Sequence, residues 1–124
     1  MKKNILIVDD FEPNLLVLES LFEDLQVNIL KATNGEDALR IVLKEQIDIL
    51  LLDVKLPDID GYEVGRLIRG QKKNKLTPII FLSGLADQGY AEFIEKYPDN
   101  ADFFQKPFDG DDVKNQVKHY IDKN

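Results

Sequence analysis

The sequence predicts an α/β fold, a mostly parallel sheet of five strands with helices on both faces. Three observations predict it. Short apolar or β-branched runs alternate five times with amphipathic stretches along the 124 residues. The links are short, which favours parallel strands joined by right-handed helical crossovers. The run from Ile47 to Leu52 is almost wholly apolar, as a strand covered on both faces must be.

Asn4 to Val8 is a β-branched run and predicts the first strand. It ends on Asp9-Asp10. Pro13 suits the first turn of a helix, and Glu12 complements its dipole. Leu15, Leu18, Phe22 and Leu25 recur at helical spacing, which carries this helix to about Leu25. Val27 to Ala32 is the second strand. Thr33-Asn34-Gly35 is turn and cap material, and Glu36 to Lys44 is a helix with Ala38, Leu39, Val42 and Leu43 on one side. The strand Ile47 to Leu52 follows and gives way to Asp53.

Leu56-Pro57 and Asp60-Gly61 are turn chemistry. Tyr62 to Arg69 is helical, with Val64, Leu67 and Ile68 apolar. The basic run Gln71 to Lys75 is a solvated turn. Ile79 to Leu82 is the fourth strand and ends on Ser83-Gly84. Asp87 to Lys96 is a helix interrupted by Gly89 and closed by Pro98; Tyr90, Phe93, Ile94 and Tyr97 form its apolar stripe, for which core packing is the default and partner or dimer contact the alternative. Ala101 to Gln105 is the fifth strand, before Lys106-Pro107. Asp109 caps the last helix, Asp111 and Asp112 occupy its first turn, and Val113, Val117 and Ile121 face inward. His119 is a surface residue, and Phe11 packs on the first helix.

At this length the chain is one domain, residues 1–124, able to bury roughly two thirds of its unfolded surface without staples. The absence of cysteine excludes disulfides and thiolate metal sites. A net charge of −7, spread along the chain, argues against direct nucleic-acid binding, which needs a basic face. The apolar run after Met1-Lys2-Lys3 spans Ile5 to Val8, shorter than the roughly 7–15 residues of a signal peptide or the about 20 of a membrane helix. A cytoplasmic protein without membrane contact is the expectation.

Four of the five strand ends carry a reactive polar group: Asp9 with Asp10, Asp53, Ser83 and Lys106. In a parallel sheet these ends share one edge, and ligands bind outside that edge. Three carboxylates there repel one another and call for a cation; a hard all-oxygen site with open positions suits Mg²⁺. No His, Cys or second Ser stands at these ends, which disfavours a Ser/His/Asp triad, a zinc site or a thiol enzyme. One Asp, Mg²⁺, a Lys and a hydroxyl suit phosphoryl transfer to a carboxylate, with Asp53 as nucleophile and the others clamping the phosphoryl oxygens.

Ile5-Leu6-Ile7-Val8-Asp9-Asp10, Ala32-Thr33-Asn34-Gly35, Leu52-Asp53-Val54-Lys55-Leu56-Pro57 with Asp60-Gly61, Ser83-Gly84 and Lys106-Pro107-Phe108 occur in this order. Together they resemble the receiver domain of two-component response regulators over nearly the whole chain. The resemblance implies a doubly wound, flavodoxin-like sheet of strand order 2-1-3-4-5 flanked by five helices. It implies Asp53 as phosphoacceptor for a histidine kinase or histidine phosphotransfer protein. Mg²⁺ would be held by Asp9, Asp10, Asp53 and the Lys55 backbone carbonyl, Asp10 directly and Asp9 partly through water. Lys106 would pair with Asp53 and then with the phosphoryl group, ahead of a cis bond to Pro107. Phe103 would be the switch aromatic, swinging inward as Ser83 moves to a phosphoryl oxygen. The signalling surface would be the fourth helix, fifth strand and fifth helix, through which two copies could also pair; the kinase would dock near the first helix and the Pro107 loop.

Departures from the commonest family pattern are Ser83 in place of Thr, Phe103 in place of Tyr, and Asp99-Asn100-Ala101 before the fifth strand. The hydroxyl survives in Ser83; Phe103 has none to bond outside. Lys55 and Leu85, each two residues after Asp53 and Ser83, should flank the path of a hydrolytic water and slow loss of the phosphoryl group. Two rivals remain. A haloacid dehalogenase-like phosphohydrolase also uses a strand-end Asp and Mg²⁺, but wants a second Asp where Lys55 stands. A receiver-like scaffold that is never phosphorylated would not need the full acidic set and Lys106.

Overall fold

The computed structural model describes residues 2–84 and 88–123. Among them, strands β1 (Lys3–Val8), β2 (Val27–Ala32), β3 (Ile49–Asp53), β4 (Ile79–Ser83) and β5 (Ala101–Gln105) alternate with helices α1 (Glu12–Leu21), α2 (Gly35–Lys44), α3 (Gly61–Arg69), α4 (Gln88–Lys96) and α5 (Gly110–Lys123). The strands form one sheet in the order β2-β1-β3-β4-β5, with every neighbouring pair parallel. This is the doubly wound arrangement the sequence predicts.

Alternation along each strand divides the core into two layers. Leu6, Leu50, Leu52 and Phe81 face Ala38 and Val42 of α2, Tyr62, Val64 and Ile68 of α3, and Phe93 of α4. Ile5, Ile7, Leu51 and Ile80 face Leu15 and Leu18 of α1 and Val113 and Val117 of α5. The central strands β3 and β4 are buried at every position, whereas edge strand β2 leaves Asn28 and Lys31 exposed. An aromatic run, Tyr62–Phe81–Phe93–Tyr97, fills the α3–α4 side with ring centroids 4.8, 4.9 and 5.1 Å apart. Tyr90 and Ile94 are half-buried against the same layer, so the α4 stripe is chiefly core.

Helix starts follow their caps. Asn34 Oδ1 accepts the Asp37 N–H at 2.7 Å, and Asp60 Oδ1 accepts the Tyr62 N–H at 2.7 Å. Pro13 lies in the first turn of α1. Asp109 Oδ1 accepts the Asp111 N–H at 2.8 Å. Among the described residues no helix is long and apolar enough to cross a membrane.

Several boundaries depart from the sequence prediction. Helix α1 ends at Leu21, not near Leu25. The chain must reverse before Val27, which pairs with Lys3, and turns through a Leu25 N–H to Phe22 carbonyl bond of 3.0 Å. Leu25 still packs on the α1–α5 layer, which is why its spacing mimics a longer helix. Strand β3 runs Ile49–Asp53 rather than Ile47 to Leu52, because the Asp48 carboxylate accepts the Asn4 N–H at 2.7 Å and so precedes the ladder. Strand β4 includes Ser83. Leu43 and Leu67 are exposed, each one residue around the helix from a buried neighbour, Val42 and Ile68. Phe11, expected to pack on α1, is more than half exposed. Leu85 and Asp87 lie outside the described residues.

The lysine-rich segment is a solvated turn with a 3₁₀ stretch, Lys72–Asn74. Beside it, Arg69 is a buried cation that the helical pattern gave no reason to expect. Its Nη1 donates to the carbonyls of Asn74 (3.1 Å) and Thr77 (2.5 Å), and its Nη2 to those of Asp99 (3.3 Å) and Asn100 (3.2 Å). One planar fork thereby ties the entries of β4 and β5 to the end of α3. Asn100 adopts φ 56°, a left-handed turn that Asn tolerates, and so the Asp99-Asn100-Ala101 entry to β5 is accommodated.

Candidate functional site

Strands β1 and β3 are neighbours, with Val8 opposite Leu52. The next residues, Asp9 and Asp53, therefore emerge side by side at the carboxyl edge of the sheet. Both are buried, while Asp10 is exposed. One carboxylate oxygen from each of Asp9, Asp10 and Asp53 lies within 4.8 Å of the others. Lys106, at the end of β5, brings its Nζ to 3.1 Å from Asp9 Oδ2 and 3.5 Å from Asp53 Oδ1.

Asp9 is held from three directions. Its Oδ1 accepts the Phe11 N–H at 2.9 Å; its Oδ2 accepts Asn14 Nδ2 at 3.2 Å as well as Lys106. Asn14 is a site residue that the sequence reasoning missed. It belongs to no motif, and only the first turn of α1 folding back over the end of β1 brings it there. Burial raises the pKa of Asp53, and the neighbouring Asp9 raises it further. Lys106 and the Lys55 backbone N–H act in the opposite sense but do not cancel the rise. The cluster is thus short of positive charge, with one lysine facing three carboxylates.

The loop after β3 forms the other wall. The Val54 N–H donates to Leu82 (3.0 Å), and the Gly61 N–H returns to the Val54 carbonyl (2.7 Å). Gly61 is required here, because a Cβ would stand 2.4 Å from the Asp53 carbonyl oxygen and 2.7 Å from Val54 Cα. The result is an open depression of about 400 Å³ around the carboxylates and Lys106, walled by Asn14, Lys55, Pro57 and Gly84. Lys55 is exposed at its mouth.

The remaining candidates sit nearby in different ways. Ser83 is buried at the end of β4, one residue beyond the Leu82 that pairs with Asp53. Its carbonyl accepts the Lys106 N–H at 2.7 Å, which fixes the root of the lysine. The Lys106–Pro107 peptide bond is cis. Phe103 is half-buried on the α4 side, its ring 5.3 Å from that of Tyr90, away from the carboxylates.

Three oxygen-donor carboxylates on one rim, partly desolvated and mutually repelling, fit a hard divalent cation such as Mg²⁺. The donor set holds no thiol or imidazole. A buried carboxylate beside a lysine and an open depression can also act as a nucleophile toward an electrophile carrying negative oxygens.

Comparison with known proteins agrees with this geometry. The family model of the response regulator receiver domain matches residues 5–118. The chain is 34% identical over 118 residues to the alkaline phosphatase synthesis transcriptional regulatory protein PhoP of Bacillus subtilis, covering 95% of this chain and 48% of that protein. It is 29% identical to the autoinducer 1 sensor kinase/phosphatase LuxN of Vibrio campbellii, of which it spans 14%, and covers 97% of itself in that match. The chain therefore spans about half or less of these longer relatives. It is 34% identical to sporulation initiation phosphotransferase F of Bacillus subtilis over 98% of this chain and 95% of that protein. Among solved structures, a CheY-like receiver domain protein from Methanospirillum hungatei superposes with a TM-score of 0.86 at 26% identity, covering 99% of this chain and 96% of that one. The receiver domain of a Pseudomonas aeruginosa sensor histidine kinase, with a magnesium ion coordinated in its active-site cleft, superposes with a TM-score of 0.83 at 30% identity, covering 98% of each chain. Sheet order, the acidic rim with its lysine, and a family match across nearly the whole chain converge on one conclusion: this chain belongs to the response regulator receiver domain family.

Proposed function

We propose that the chain is a phosphorylation-driven switch of a two-component phosphorelay, accepting a phosphoryl group on Asp53 from a histidine kinase or histidine phosphotransfer protein. The observation that carries this is the Asp9-Asp10-Asp53 cluster with Lys106 Nζ 3.5 Å from Asp53. The Bacillus phosphotransferase, similar over nearly all of both chains, supports a phosphoryl-transfer role.

Asp9, Asp10, Asp53 and the Lys55 carbonyl would hold Mg²⁺, as the magnesium in the Pseudomonas receiver supports. When bound, Mg²⁺ supplies charge neutralisation for the carboxylates and the phosphoryl oxygens. An Asp53 oxygen attacks the phosphorus, the bond from phosphorus to the donor imidazole nitrogen breaks, and its electron pair stays on that nitrogen. Lys106 and the Ser83 hydroxyl bind phosphoryl oxygens as charge builds there. Asp10, the exposed member of the cluster, would be the direct ligand; Asp9, already bonded to Phe11, Asn14 and Lys106, would act partly through water.

Exposed Val17, which lines a cleft with Pro107 and Phe108, supports donor docking at α1 and the Pro107 loop. Phe103, packed on Tyr90, is the switch aromatic that passes the change at Ser83 to the α4–β5–α5 surface. Pairing of two copies through that surface is tested by sedimentation with and without phosphorylation. Lys55, exposed at the mouth, slows hydrolysis, and the same role is proposed for Leu85 from its place two residues after Ser83; a Lys55→Ala, Leu85→Ala variant should lose its phosphoryl group faster than wild type.

The deciding experiment is incubation with Mg²⁺ and a small acyl phosphate, followed by mass spectrometry. A gain of one phosphoryl on Asp53, lost in Asp53→Asn, supports the switch. Many turnovers of donor would make the chain a phosphohydrolase; no gain would make it a scaffold.

A further inference from the structure

We propose that Asp58 is a positioning residue for the cation site, acting through the β3–α3 loop; the inference rests on the function proposed above. Asp58 lies outside the acidic cluster and touches none of its side chains among the bonds observed. Its Oδ1 accepts the Gly35 N–H at 2.9 Å and its Oδ2 the Glu36 N–H at 2.8 Å. Oδ1 also accepts the Ile59 N–H at 2.9 Å. These two α2 groups are among the four N–H groups that a helix leaves unpaired at its start. Asn34 satisfies a third, that of Asp37, from within the chain's own cap. Asp58 thus caps α2 from another segment, 23 residues away.

The same bonds fix the loop. Its ends are pinned at Val54 and Gly61, 2.7 Å from N–H to carbonyl. Between those pins the loop carries Lys55, whose carbonyl is assigned to the cation. Ile59 is pressed against the α2 start so closely that a Cβ on Gly35 would meet it at 2.4 Å. A side chain at the head of α2 would force the Ile59 side chain to shift. The Asp58 bridge sets where the middle of the loop sits relative to β3, and hence the direction of the Lys55 peptide. Groups that orient a ligand commonly change metal affinity when removed, and Asp58 would do so one step further out, through the loop backbone.

The test is Mg²⁺ titration by calorimetry on the full chain, with amide exchange at Gly35, Glu36 and Lys55. Asp58→Ala should weaken Mg²⁺ binding by about threefold to tenfold, less than the roughly 10–100-fold seen for groups bonded directly to a ligand, because the link runs through the loop backbone. It should speed exchange at all three amides. Asp58→Asn, which keeps one acceptor oxygen, should recover part of both. Asn34→Ala removes a cap from the same helix without touching the loop, and should leave Mg²⁺ affinity within twofold of wild type. The proposal is overturned if Asp58→Ala binds Mg²⁺ as wild type does, or if Asn34→Ala weakens binding equally, since the effect would then be general destabilisation of α2. Wild-type protein that takes up no Mg²⁺ would overturn the site assignment beneath it, and this proposal with it.

Discussion

Among the described residues, Lys106 is the cation that reaches both Asp9 and Asp53, and replacing it with methionine isolates its charge at nearly constant length. Its Nζ stands 3.1 Å from Asp9 and 3.5 Å from Asp53. Each contact is worth about 1 kcal/mol in a water-like dielectric and about 5 kcal/mol at an effective dielectric of about 20. The lysine is partly exposed, and its removal also returns the cost of desolvating it, so the smaller figure governs. We expect Lys106→Met to lose about 1–3 kcal/mol of stability without Mg²⁺ at pH 8, or roughly 5–10 °C in Tm for a chain of this size. Mg²⁺ affinity should move the other way, about threefold to thirtyfold tighter, because the ion no longer competes with an ammonium for the same oxygens. Lys106 also works against the rise in the Asp53 pKa. Without it, Asp53 takes up its proton at a higher pH, which relieves the variant, so its deficit should shrink between pH 8 and about pH 4, the ordinary carboxylate range. Thermal melts at both pH values and Mg²⁺ calorimetry read all three effects. An unchanged Tm together with weaker Mg²⁺ binding would refute the lysine as counter-charge and make it a cation-site support instead.

Asp53→Asn should stabilise the Mg²⁺-free protein near neutral pH. Repulsion between two carboxylates within 4.8 Å costs about 1 kcal/mol even in a water-like dielectric. Because burial and Asp9 raise the native pKa of Asp53, the ionised group destabilises the fold above that pKa and costs nothing once protonated in both states; the gain in Tm should vanish toward pH 3–4. Arg69→Met should cost about 3–4 kcal/mol by leaving four carbonyls without their shared donor; Arg69→Lys should recover little, since an ammonium cannot span the fork, and urea melts decide it. Gly61→Ala should cost about 1–3 kcal/mol and reduce phosphorylation, because the backbone of Asp53 and Val54 must move aside; an unchanged phosphorylation rate with a small acyl phosphate would count against that loop's rigidity.

Strand-end chemistry was legible because a parallel sheet sends every strand's end to one edge. Asp9, Asp53 and Lys106 could therefore be brought together on paper from three distant stretches. Asn14 and Asp58 were not legible: their contacts depend on how far α1 leans over β1 and how closely the β3–α3 loop presses on α2. Phe11 and Leu43 were misjudged because apolar character alone does not fix rotation about a helix or the direction of a residue ahead of one.

By itself the sequence determined the alternation of strands and helices, the two-faced burial of the central strand and the chemical identity of the rim. Those follow from local periodicity and from which residue ends each run, both properties of neighbours in the chain. Only the tertiary structure decided the distances that make the rim a site, the buried fork of Arg69 and the Asp58 bridge. Each depends on contacts between segments separated in sequence, whose spacing is set by packing of the whole core and by no local pattern.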